Sequence, residues 1–125
     1  MPARLRLASP AEVSAALAAS PRTEEQTRLL VKHFMAVLEG RAPGRSVEVR
    51  VPPYAVAQCL AGTRHTRGTP PAVVEMDAAT WVGIGIGDVE WSKAAHDARL
   101  VASGERSDLG ALMPLLTPAD PPVAS

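Results

Sequence analysis

Few side chains in this sequence have the types and spacing that chemistry needs. Cys59 is the single cysteine and lies mid-strand in YAVAQCL, on a face of small residues. Nothing beside it would depress its pKa, so it reads as a buried, unreactive thiol rather than a nucleophile. His33 and His96 both fall on helical patterns, with no second histidine or cysteine at metal-ligand spacing on the same helix. Solvated positions, or a favourable place at a helix C-terminus, account for both. Gly83, Gly85 and Gly87 form G-x-G-x-G inside an apolar run of helix length, without the strand and phosphate-loop context of a dinucleotide site. They mark a locally weak helix, each glycine costing ~1 kcal/mol against alanine. No catalytic residue, metal site or cofactor follows, and the chain is expected not to be an enzyme.

One polar cluster could hold a ligand. Arg64, His65, Thr66, Arg67 and Thr69 bring two guanidiniums, an imidazole and two hydroxyls within six residues, enough for a carboxylate or phosphate head group. The plainer reading ties the loop to its own protein, with Arg67 paired to Glu75 or Asp77. Trp81 and Trp91, ten residues apart on adjoining helices, are first of all core anchors.

The elements that must position these residues are marked by their boundaries. Ser9-Pro10-Ala11-Glu12 has the form of a capping box, and Thr23 with Gln26 repeats it before a longer helix. Leu30, Val31, Phe34, Val37 and Leu38 form that helix's apolar face, and Gly40 ends it. Val47, Val49 and Val51 alternate with Glu48 and Arg50 as a strand buried on one side. Pro52-Pro53 stops it, and 54–60 forms a second strand with Tyr54, Val56, Gln58 and Leu60 on one face. The loop 61–72 leads to a third strand at 73–76. Asp77 caps a helix over 78–86 that Gly87 closes. Asp88 caps the next helix over 89–98, 99–104 is the last strand, and Ser107 or Asp108 caps a final helix ended by Pro114. Strands grouped together with helices set to one side predict an α+β fold: a mostly antiparallel sheet of about four to five strands, covered on one side by helices. Residues 1–116 form one domain, and the Pro-rich tail 117–125 is expected to be disordered.

Thirteen basic and thirteen acidic residues balance, so no overall field recruits nucleic acid or an anionic membrane. No stretch approaches the ~18 apolar residues of a membrane span, and MPARLRLASP lacks the apolar core of a secretion signal. With one cysteine, a cytoplasmic location is expected.

The order of signals over 75–115 resembles the sterol carrier protein type-2-like family, in particular its short bacterial stand-alone branch. Thr80-Trp81, Gly87, Trp91, Ala102-Ser103-Gly104, Ser107-Asp108-Leu109 and 112–115 carry the match, and RAPGRSVEVRVPPYA with RHTRGTPPAVVE extends it upstream. Two places depart from the pattern. Gly83 and Gly85 stand where the family tends to carry larger helix formers, and Ala98 where a turn glycine is usual. The resemblance implies a non-catalytic carrier or binding module for an apolar small molecule (a fatty acid, acyl chain or sterol-like lipid) held between sheet and helices. On that reading Tyr54, Val56, Trp81, Val82, Ile86, Trp91 and Leu112 are expected around the ligand, and the polar cluster of Arg64, His65 and Arg67 is the candidate head-group contact. Similar domains are also fused within larger enzymes, including mycothiol-dependent isomerases, whose metal sits in a separate helical part. The alternative is therefore an accessory, partner-binding module with a solid core and no lipid. Either form would be a monomer or homodimer.

Overall fold

Ser9 and Thr23 do what their spacing predicts. The Ser9 hydroxyl accepts from the Glu12 N–H while the Glu12 carboxylate accepts from the Ser9 N–H, both at 3.2 Å, which starts α1 at Pro10–Ala18. Thr23 and Gln26 exchange the same pair of bonds at 3.1 and 2.9 Å, which starts α2 at Glu24–Arg41. The computed structural model describes residues 5–62, 72–104 and 107–123. Gly40 does not end α2; the helix runs one residue further, and Ala42 leaves it at φ −139°. The stop comes from Pro43, whose ring pushes the residue before it out of helical geometry.

The strands are β1 (Val47–Val51), β2 (Ala55–Cys59), β3 (Ala72–Met76) and β4 (Leu100–Ser103), in the order β2-β1-β3-β4. β1 pairs antiparallel with β2, as does β3 with β4, while β1 and β3 are parallel. The sheet is thus mixed, with two of its three pairings antiparallel. Val47, Val49, Val51, Ala57, Cys59, Val74 and Met76 point inward and are buried.

The phase of β2 differs from expectation. Val49 lies opposite Ala57 and Arg50 opposite Val56, so Ala55, Ala57 and Cys59 face the helices and Val56 faces out at 51% exposure. Hairpin register, set by the turn through Pro52, Pro53 and Tyr54, overrides the larger size of Val56. The small inner residues let α2 pack directly on β2.

Helix α3 (Ala78–Ile86) crosses the inner side against α2. The Asp77 carboxylate accepts from the Thr80 N–H at 2.8 Å, and Gly87 exits at φ 101°. Helix α4 (Trp91–His96) is shorter than expected, because Asp88 does not cap it. The Asp88 and Val89 N–H groups instead bond to the Gly83 carbonyl at 2.9 and 3.1 Å, closing α3. The last element is a 3-10 turn, Gly110–Leu112, not an α-helix. Pro114 has no N–H to extend it, and Leu115 turns back to donate to the Gly85 carbonyl at 2.9 Å.

His33 is not solvated, because both the stretch before α1 and the stretch after Leu116 reach it. The Ala8 N–H donates to His33 Nδ1 at 3.0 Å, and His33 Nε2 meets Asp120 Oδ1 at 3.1 Å. Since a backbone N–H only donates, Nδ1 accepts, and the ring proton sits on Nε2 facing the carboxylate. The two side chains are 3% and 4% exposed. A buried carboxylate–imidazole pair offsets the ordering entropy of the tail, and its partners stand too far apart in sequence for composition to reveal it.

Candidate functional site

The second half of α3 is flanked by two hollows. The first, of about 480 Å³, lies between α3 and the connection from α1 to α2; Ala79, Val82 and Ile86 face Pro21 across it, with Arg22 and Asp88 at its edge. Arg22 is already engaged, its Nε donating to the Ala16 carbonyl at 2.8 Å at the end of α1. The second hollow, about 470 Å³, lies between the end of α3, the start of α4 and the 3-10 turn. Ile84, Trp91, Met113 and Pro114 supply its apolar surface, and Glu90 and Asp108 its polar edge. Val89 borders both. Its side chain lies over Gly83, where an added Cβ would come within 2.7 Å of Val89 Cγ2. Gly83 thus provides the space that lets Val89 stand as the partition.

The residues expected around one ligand are dispersed. Val82 and Ile86 line the first hollow and Trp91 the second. Trp81 lines neither: it is fully buried, and its indole N–H donates to the Val31 carbonyl at 3.1 Å. Leu112 is half-buried on the 3-10 turn, its carbonyl bound by Arg41 at 2.8 Å. Tyr54 and Val56 lie at the β1–β2 turn, bordering a third hollow of about 400 Å³ with Arg50, Pro52 and Pro53. The Arg28 guanidinium sits 5.7 Å from the centre of the Tyr54 ring. Arg64, His65 and Arg67 lie outside the described residues.

Between sheet and helices, Val49, Val74, Leu30, Phe34 and Trp81 all have zero exposure, so none adjoins a void that water could enter. The expected space between these walls is filled around these five. Val89, Met113, Pro114 and Pro21 were not placed at a ligand from sequence. Only the helix exit at Gly87 hinted that the chain after it would fold back over α3.

The polar groups offer little chemistry. Burial, and secondarily the charge of Glu39, push the Cys59 thiol up to about 11, so it stays protonated near neutral pH. No group of three or more metal-ligating side chains occurs among the described residues. His96 is exposed in the last turn of α4. No helix among the described residues is long and apolar enough to cross a membrane.

Comparison with curated proteins finds no match. Residues 23–115 match the family described as bacterial SCP ortholog, from the cap of α2 to the residue that docks on Gly85. With well over half its length matched, the chain belongs to this sterol carrier protein-like family.

Proposed function

We propose that the protein is a non-catalytic binding or carrier module for an apolar small molecule: a fatty acid, an acyl chain or a sterol-like lipid. The observation that carries this reading is the hollow floored by Val82 and Ile86, whose volume of about 480 Å³ is of the size that small-molecule sites take. Burial is the whole mechanism. Covering roughly 200 Å² of an acyl chain contributes about 5 kcal/mol before the costs of association, enough for weak to moderate affinity without a charged contact. Trp91, in the adjoining hollow across Val89, would sense the ligand. The Arg64–Arg67 loop remains the proposed contact for a head group, and the lone buried thiol supports a reducing, cytoplasmic setting.

A second reading is favoured by the filled space between sheet and helices: an accessory module that binds a protein partner, such as an enzyme, and holds no lipid. Titration with a fluorescent fatty-acid analogue, following tryptophan emission, separates the two. Saturable binding should appear in the wild type and weaken at least about ten-fold in Ile86→Asp, the change expected when a charge enters an apolar site. Absence of saturable binding, or indifference to Ile86→Asp, would leave the accessory reading in place.

A further inference from the structure

The uncovered face of the sheet carries a row of side chains fixed by strand register. Arg50 in β1 stands opposite Val56 in β2 and opposite Glu75 in β3, and Glu75 stands opposite Val101 in β4. Across the sheet the row therefore runs apolar, cation, anion, apolar. All four residues are exposed. Val56 at 51% and Val101 at 67% are two of the three large apolar side chains most open to solvent among the described residues.

A row in that order is its own complement. Consider two such sheets face to face, related by a two-fold axis parallel to the strands and midway between β1 and β3. Each β1 then faces the other copy's β3, and each β2 faces the other copy's β4. Arg50 meets Glu75 of the second copy, twice, and Val56 meets Val101, twice. With the axis set across the strands instead, β1 would face β1 and the like charges would oppose each other, which selects the first arrangement. Glu48 on the same strand holds the Arg50 Nε at 2.8 Å and its Nη2 at 2.6 Å, and the planar guanidinium keeps the N–H groups of Nη1 for a second carboxylate. Glu75 makes no ion pair among the described residues.

We infer that this face docks a second copy of the chain, as a two-fold dimer in which Arg50 pairs with Glu75 and Val56 packs on Val101. The face is small. Four strands about 4.8 Å apart and four to five residues long at ~3.3 Å each give a footprint of ~300 Å², against ~800 Å² per partner in stable complexes. The dimer is thus weak, rapidly exchanging and sensitive to salt. Its existence is independent of any ligand between the helices.

Sedimentation velocity from micromolar to about 0.5 mM protein, the range where small interfaces associate, tests the inference. The wild type should shift from monomer to dimer. Glu75→Arg and Arg50→Glu should each weaken association at least about ten-fold by setting like charges face to face, and the double variant should return to within about three-fold of wild type. All are exposed positions, and circular dichroism will verify that each variant is folded. A wild type that stays monomeric across the range, single variants that associate unchanged, or a double variant no better than the singles would each overturn the inference.

Discussion

Gly85 and Ala98 show how one side chain can be wrong or right for its place irrespective of helix propensity. Gly85 lies inside α3 with ordinary helical backbone, where alanine would normally be preferred by ~1 kcal/mol. Yet a Cβ there would come within 2.5 Å of the Phe34 ring, which is fully buried between α2 and α3 and has nowhere to move. The glycine is the contact that lets the two helices close. Ala98 is the reverse case. It follows α4 at φ 60°, while the Arg99 N–H returns to the Ala94 carbonyl at 2.8 Å, so a residue with a Cβ occupies a left-handed helix exit. That conformation costs a non-glycine residue roughly 1–2 kcal/mol, part of which alanine recovers through a less disordered unfolded chain. The two substitutions should therefore move stability in opposite directions in denaturant melts. Gly85→Ala is expected to lose about 1–2 kcal/mol after its propensity gain is set against overpacking. Ala98→Gly is expected to gain ~0.5 kcal/mol. A Gly85→Ala protein as stable as wild type would mean that Phe34 can yield.

At the scale of elements, α3 owes its start to one carboxylate. The Thr80 N–H bond to Asp77 is the main cause that holds the Asp77 carboxyl below its usual range; the Thr80 hydroxyl and Arg99 act in the same direction, and slight burial opposes them. A carboxyl whose folded pKa is depressed contributes stability above its unfolded pKa and loses it as pH falls through the folded value. Asp77→Asn keeps an acceptor for the cap without a titrating proton. Wild type should thus be the more stable of the two near neutrality, and the gap should shrink as pH drops below ~4. Parallel thermal melts of both proteins over that range will show it, and a gap that stays constant would remove Asp77 as its source. Such local signals explain how much of the fold was legible. Both capping boxes, the Asp77 cap, the Gly87 exit and the alternation in β1 are each written within five residues of sequence, and each element begins or turns where they predict. What was misread depends on partners distant in sequence. The inward face of β2 follows from its register with β1, the loss of Asp88 as a cap from the demand of Gly83's carbonyl, and the 3-10 turn from the docking of Leu115 on Gly85. The hollows were illegible for the same reason. Val82, Ile86 and Trp91 were visible as apolar residues near the ligand region, but the Val89 partition that divides them arises from the fold-back after Gly87.

For the whole molecule, His33 ties both ends of the chain to the centre of α2. Its Nδ1 accepts from the backbone just before α1, and its Nε2–H faces Asp120, four residues beyond Leu116. Asp120 also receives the Thr117 N–H on its other oxygen at 2.8 Å, so the carboxylate fixes the turn that presents it. The imidazole is buried against Phe34, their ring centres 5.6 Å apart, and this places the junction at the margin of the core rather than in solvent. Each imidazole nitrogen in the junction depends on a partner from a different part of the chain. Deleting 117–125 would leave the His33 N–H without its acceptor in a site built to exclude water, a loss of about 1–3 kcal/mol. His33→Ala should cost more, roughly 2–4 kcal/mol, because it strands the Asp120 carboxylate and the Ala8 N–H and opens a cavity beside Phe34. If the ends are held only through His33, the deletion should add little to the cost of His33→Ala when the two are combined, since each removes the same contact. Chemical denaturation of the two single changes and the combination closes this cycle. Fully additive losses, or a tail deletion that costs less than ~0.5 kcal/mol, would show that 117–123 rests on the domain without holding it.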